Sequence, residues 1–172
     1  MKVGSLFSGI GGFELGLEWA GMETIWQVES DEFCRKVLAK HWPSVPRHVD
    51  IFDFVELCRG GQIEQPDLIT GGFPCQPFSQ AGVRKGQSDD RYLWPAMLEV
   101  ISLLRPAWVI GENVAGIVRM ALDQVLSDLE DEGYSTQALV LPACGLDAPH
   151  KRERVWIVGN ACGERRQQVA RG

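Results

Sequence analysis

Lys2-Val3-Gly4-Ser5-Leu6-Phe7, Ser8-Gly9-Ile10-Gly11-Gly12 and Phe13-Glu14-Leu15-Gly16-Leu17-Glu18-Trp19 open the chain. They read in turn as a short strand, a glycine turn and a proline-free helix. That succession begins a nucleotide-binding α/β unit. Glycines in the turn let the backbone approach a ligand, because no side chain is in the way. The dinucleotide pattern G-x-G-x-x-G is not completed: Glu14 stands in the third glycine's place, where its charge would repel a pyrophosphate.

Working outward, Glu23-Thr24-Ile25-Trp26-Gln27-Val28 reads as a second strand ending in Glu29, with Ser30-Asp31-Glu32 opening the next helix. An acidic residue at that strand end suits hydrogen bonds to a ribose hydroxyl pair. Arg47-His48-Val49-Asp50-Ile51 offers another carboxylate at a strand end. Helix capping would explain Glu29 or Asp50 taken singly. With the glycine turn, the two outline a nucleoside pocket.

A third buried strand, Asp67-Leu68-Ile69-Thr70, runs into Gly72-Phe73-Pro74-Cys75-Gln76-Pro77-Phe78-Ser79. The two prolines hold Phe73 and Gln76 extended, so Cys75 sits on a rigid turn past a strand end. A thiol there is placed as a nucleophile rather than as apolar filling, the commoner fate of a lone cysteine. Ala107 to Ile110 reads as another strand with Glu112 at its end, converging with Cys75 on one edge of a parallel sheet. Arg152 and Arg154 stand two apart at the entrance to the strand Val155–Gly159, facing the same way.

The alternation continues with a helix near Ile117–Glu132 and strands near Thr136–Leu141 and Val155–Gly159. It predicts a mostly parallel sheet with helices on both faces, the last two strands making an antiparallel edge. The fold class is α/β and Rossmann-like, with one domain over residues 1–159 and a tail over 160–172. At 172 residues and 45% hydrophobic content the chain can bury a core without disulfides. Its cysteines, at 34, 58, 75, 144 and 162, form no C-x-x-C pair. They suit a reducing cytoplasm, and no apolar run reaches membrane-spanning length. The net charge of −6 runs against a wholly basic nucleic-acid surface, although Lys151 onward is locally basic.

As a set, Leu6-Phe7-Ser8-Gly9-Ile10-Gly11-Gly12, Gly72-Phe73-Pro74-Cys75-Gln76, Glu112-Asn113-Val114 and Arg152-Glu153-Arg154 resemble the motifs of the cytosine carbon-5 DNA methyltransferases, in that family's order. Glu29, Asp50-Ile51 and Arg91-Tyr92-Leu93-Trp94 resemble its lesser cofactor-side motifs. The resemblance implies an S-adenosylmethionine-dependent methyltransferase fold and DNA methylation of the restriction-modification kind. It implies a catalytic set of Cys75, Glu112, Arg152 and Arg154. Cys75 would attack ring carbon 6, Glu112 would serve ring nitrogen 3 from a buried position, Arg154 would hold the base's carbonyl oxygen and Arg152 would support the catalytic loop. The cofactor would lie against Gly9, Ile10, Gly11 and Gly12. Phe7 would meet the adenine, Glu29 the ribose, Asp50 and Ile51 the adenine edge, with Pro74 and Leu93 lining the same pocket. The partner implied is double-stranded DNA with a flipped cytosine, clasped by the glycine- and lysine-bearing loop from Gln80 to Ser88.

Ser5 and His150 depart from the family pattern, which more often has an acidic residue and a glutamine there. Ser5 is expected to cost one polar cofactor contact. Full enzymes of the family continue past the Val155–Gly159 strand into a target-recognition region, to which residues 160–172 resemble the start of a linker. Two alternatives stay open. One is a split or truncated form that binds S-adenosylmethionine or a complementary polypeptide, signalled by exposed apolar surface along the Val155–Gly159 edge. The other is methylation of RNA. A nicotinamide-dependent dehydrogenase fits worst, given Glu14 and the cysteine turn.

Overall fold

Apolar alternation and glycine turns build a seven-stranded sheet. The computed structural model describes residues 1–74 and 92–161. Cys75, Arg91, the loop from Gln80 to Ser88 and residues 162–172 lie outside them. The strands are β1 (Lys2–Leu6), β2 (Glu23–Val28), β3 (Arg47–His48), β4 (Leu68–Gly71), β5 (Trp108–Val114), β6 (Tyr134–Pro142) and β7 (Glu153–Ala161). The helices are α1 (Gly12–Trp19), α2 (Glu32–His41), α3 (Ile51–Arg59), α4 (Trp94–Leu104), α5 (Ile117–Met120) and α6 (Leu122–Asp131).

The strand order is β3-β2-β1-β4-β5-β7-β6. The first five strands are parallel, and β7 runs antiparallel to both of its neighbours. The expected α/β class and antiparallel edge are therefore present, with one correction. Val155–Gly159 is not an edge: β7 lies between β5 and β6, and β6 is the outer strand. Hydrogen bonds to two neighbours also carry β7 through Asn160 to Ala161, which pairs with Tyr134 and is buried. The sheet thus takes two residues from the expected tail.

Side chains alternate across each strand, so the sheet has two distinct faces. One packs Leu6, Trp26 and Ile69 in a core with Phe54 of α3 and Met97 of α4. Gly4 is small for a packing reason: a Cβ there would come within 2.0 Å of the Trp26 ring. Trp26 in turn meets Phe54 at a centroid separation of 4.8 Å. Burying each such large apolar side chain contributes roughly 1.5–3 kcal/mol.

The other face carries Ser5, Gln27, Thr70, Glu112, Trp156 and Arg154, in line with the register of their strands. Helix α1 lies over part of it, where Phe13 meets Trp156 edge-on at 5.5 Å. Further out on this face Ile110, Trp156 and Val158 stay half-exposed, while Leu139 and Leu141 are 40% and 46% exposed. Exposed apolar surface is present, then, but on a face rather than along a strand edge.

The expected helix over 117–132 is two helices. Ala121, at φ −153°, breaks it between α5 and α6, so that Ile117, Val125 and Leu129 can all be buried. Among the described residues no helix is long and apolar enough to cross a membrane.

Candidate active site

The parallel strands all deliver their carboxyl ends to one rim, and two clefts open there. The first, of about 200 Å³, is lined by Phe7, Val28, Glu29, Ser30, Val49, Asp50, Ile51, Phe52 and Leu93. Phe7 follows β1 with φ 53°, a left-handed conformation that is rare and strained for a bulky residue. Glu29 is held by two backbone amides: Gly9 N–H donates to its Oε2 at 2.7 Å and Asp31 N–H to its Oε1 at 2.8 Å. Asp50 caps α3, its Oδ1 accepting from the amides of Phe52 at 2.7 Å and Asp53 at 3.2 Å. The capping explanation therefore holds for Asp50, yet its second oxygen is left available at the cleft. His48, whose ring lies tilted against Phe54 at a centroid separation of 4.8 Å, is pushed towards the neutral form by burial.

The second cleft, of about 230 Å³, is lined by Gly72, Phe73, Pro74, Glu112, Asn113, Val114, Arg152 and Arg154. Arg154 Nε meets Glu112 Oε1 at 2.8 Å, with 22% and 27% of the two side chains exposed. Strand register explains the pair. Glu112 stands opposite Trp156 on β7, and Arg154, two residues earlier on the same face, is its diagonal neighbour. Glu112 differs from expectation in two ways: it lies inside β5, which runs on to Val114, and it is half-buried rather than buried. Arg152 precedes β7 with φ 30°. It and Arg154 line one cleft although only Arg154 belongs to the strand.

Asn113 was given no role by the sequence, and the structure gives it one. Pointing to the opposite face, it is 5% exposed. Its Nδ2 donates to the Phe73 carbonyl at 2.8 Å and its Oδ1 accepts from Val114 N–H at 2.9 Å. The segment after β4 is thereby tied to β5. An amide side chain within a run of strand-forming residues, which needs hydrogen-bond partners once buried, is the signal that could have found it.

Not every expected cofactor residue joins the first cleft. Ile10, Gly11 and Gly12 line a separate groove of about 320 Å³ with Leu15, Glu18, Val37, His41 and Trp42. At Gly11 the space a side chain would take is filled by the Trp42 ring, not left open for a ligand. Gly9 acts through its amide on Glu29. Pro74 lines the second cleft, and its carbonyl accepts from Leu93 N–H of the first at 3.3 Å. Ser5 is fully buried, so it offers the cofactor cleft no surface. Glu14 is also fully buried and presents no charge at the turn's outer side. Burial holds its carboxyl above the usual carboxylate range, against the lowering effect of its own backbone amide and of Ser5, Ser8 and Gln27. Among the described residues no cluster of His, Cys, Asp and Glu is suited to a metal ion.

Residues 1–170 match the family model described as C-5 cytosine-specific DNA methylase. The chain belongs to that family. The Type II methyltransferase M.HgiCII of Herpetosiphon aurantiacus is 34% identical over 159 residues, covering 90% of this chain and 36% of the relative. The Type II methyltransferase M2.BsuMI of Bacillus subtilis is 36% identical over 169 residues, 93% of this chain and 42% of the relative. The chain thus spans less than half the length of these curated relatives. Among solved structures, the S. pombe Dnmt2 methyltransferase superposes with a TM-score of 0.75 at 23% identity, over 94% of this chain and 51% of that one. That likeness is one of fold. In this member of the C-5 cytosine-specific DNA methylase family, the two clefts at the sheet's rim are the candidate sites for ligand and chemistry.

Proposed function

We propose that this chain is the catalytic part of an S-adenosylmethionine-dependent methyltransferase acting on carbon 5 of cytosine in DNA, with Cys75 as the covalent nucleophile. The observation that carries the reading is the second cleft. The Glu112–Arg154 pair shares it with Gly72, Phe73 and Pro74, and Cys75 is the next residue of the chain.

The first cleft fits an adenosine group. Phe7, Ile51 and Leu93 give apolar walls for a purine. Glu29, oriented by two amides, keeps lone pairs for ribose hydroxyls, and the free oxygen of Asp50 suits an exocyclic amine. When bound, S-adenosylmethionine supplies a sulfonium methyl group and leaves as S-adenosylhomocysteine.

The residues of the second cleft prepare the acceptor. The flipped base sits in the cleft against the Glu112–Arg154 pair. The Cys75 thiolate forms a bond to ring carbon 6, and the displaced electron pair makes carbon 5 nucleophilic. Glu112, in its acid form, gives its proton to ring nitrogen 3 as the thiolate adds, and Arg154 donates a hydrogen bond to the carbonyl oxygen, so the negative charge that develops during addition is neutralised. Arg152 supports the loop beside them. Once carbon 5 carries the methyl group, a base or water removes its proton. The electrons re-form the ring double bond, the carbon–sulfur bond breaks to return the thiolate, and ring nitrogen 3 gives its proton back to Glu112.

Duplex DNA containing 5-fluorocytosine tests this chemistry. Fluorine cannot leave as a cation, so the adduct should persist and map to Cys75 in the presence of S-adenosylmethionine. An adduct on another residue, or an equal yield from Cys75→Ser, would contradict the reading.

A second reading has its own support. The half-exposed Ile110, Trp156 and Val158 and the exposed Leu139 and Leu141 form an apolar surface on the face that carries Glu112 and Arg154. Such a surface suits a complementary polypeptide bearing target recognition, without which the chain would bind cofactor but not methylate.

A further inference from the structure

A row of buried polar side chains crosses the sheet just below the candidate sites. Gln27 of β2 pairs in register with Ser5 of β1, and Ser5 with Thr70 of β4. In-register neighbours on parallel strands share a face. All three are fully buried, and so is Glu14, in the first turn of α1 above them. Gln27 Nε2 donates to Glu14 Oε1 at 3.3 Å, and Ser8 Oγ donates to Ser5 Oγ at 3.0 Å. Glu14 Oε2 and Thr70 Oγ1 have no hydrogen-bond partner among the described residues. From this row each strand runs one to three residues further to a functional segment: β1 to Phe7 and the Ser8–Gly12 turn, β2 to Glu29, and β4 to Gly72–Pro74.

Chemistry gives the carboxyl's state. An ionised carboxylate buried here would be met only by neutral donors, its own backbone amide, Gln27 and the Ser5 and Ser8 hydroxyls, and would be disfavoured. Around it, Arg47 of β3 turns its guanidinium to Gln27 Oε1, 3.4 Å away, rather than to Glu14. Glu29 is occupied by the amides of Gly9 and Asp31, Glu18 by Trp42 Nε1, and Arg154 by Glu112. Among the described residues no cation is therefore offered to Glu14, which agrees with the upward push that burial gives it. As a neutral acid it gains an O–H donor, and the Ser5 and Ser8 hydroxyls that face it have lone pairs to receive it. Gly11, the N-cap of α1, has no side chain with which to fasten the turn.

We propose that Glu14 is a positioning residue that fastens the Ser8–Gly12 turn to the Gln27–Ser5–Thr70 row, fixing the turn against the end of β2 before any ligand arrives. Its purpose rests on the cofactor reading above; its geometry does not.

Amide hydrogen exchange on the ligand-free 172-residue chain tests it. The probes are Gly9 N–H, bound to Glu29, and Gly11 N–H, bound to the Ser8 carbonyl at 3.0 Å. Glu14→Ala should speed exchange at both by about tenfold or more, and Glu14→Gln should restore it to within about threefold of wild type. Amides of β5 and β7 should be unchanged in both. Corrected for intrinsic rates, protection of the turn in wild type should fall as pH rises, and in Glu14→Gln it should not. Should Glu14→Ala fail to fold, Ser8→Ala serves in its place and should speed the same two amides. An unaltered turn, or an equal loss across the whole sheet, would overturn the proposal. S-adenosylhomocysteine titration of the same samples separates the two readings. A chain with the expected exchange pattern that binds none would overturn the cofactor reading and leave the positioning role standing. Binding without the pattern would do the reverse.

Discussion

Gly11 shows how much a single residue here is fixed by its neighbours. Its φ of 95° is unfavourable for any L side chain, and a Cβ would come within 2.3 Å of the Trp42 ring. Gly11→Ala should cost about 2–3 kcal/mol in urea unfolding. The glycine was legible in the sequence, but its reason was not: the turn pattern suggested room for a ligand, and the indole of Trp42, just past α2, takes that room. Glu14 was legible only as a broken dinucleotide pattern. Its burial depends on Ser5 and Gln27 arriving from two strands, β1 and β2, packed under its helix, which no local window contains. The folded-state pKa of Glu14 lies above the ordinary 4.5. The proton it keeps therefore favours the fold fully below that value, and this contribution is lost as pH rises through the raised one. Thermal melts should show Glu14→Gln more stable than wild type in mildly alkaline buffer, with the gap closing as pH approaches 4.5. A gap that does not change with pH would mean that Glu14 is not what titrates.

At the scale of elements, the strand–turn–helix opening, β2 and β4 were readable because buried strands are short apolar runs bounded by turn residues. Boundaries failed where pairing, not local sequence, extends a strand. Glu112 and Asn113 look like a polar end to β5, yet β7 supplies partners as far as Val114. The break between α5 and α6 was hidden for a related reason: Met120-Ala121-Leu122 contains no glycine or proline, and packing alone divides it. Helix α3 offers a test that separates structure from binding. Asp50→Ala should cost about 1 kcal/mol of stability through the lost cap, whereas Asp50→Asn should cost under about 0.5 kcal/mol, because asparagine caps equally well. Both should weaken S-adenosylhomocysteine binding in calorimetry, since neither presents the second carboxylate oxygen. Unchanged affinity in both would remove Asp50 from the cofactor site.

For the whole molecule, topology does what no motif can. The strand order places Glu29 and Asp50 on one side of β1, and Glu112 and Arg154 beyond β4 on the other, so two clefts share a rim. The sequence implied that convergence through its motif order. It did not reveal that an apolar patch on the β5–β7–β6 part of one sheet face stays open, because the register of those strands decides which side chains gather there. Leu139→Thr with Leu141→Thr should leave the thermal midpoint within a few degrees, since both side chains are already exposed, while lowering concentration-dependent association in sedimentation. A large loss of stability would instead mark that face as part of this chain's own core. The central claim is cytosine methylation through Cys75, and labelled methyl transfer from S-adenosylmethionine to mixed-sequence duplex DNA tests it most directly. The expected result is label recovered as 5-methylcytosine with the wild-type chain and none with Cys75→Ser or Glu112→Gln. Label that persists in Cys75→Ser would contradict it, whereas a folded wild-type chain that binds S-adenosylhomocysteine yet transfers nothing would contradict methylation by this chain alone and leave the reading that needs a complementary polypeptide.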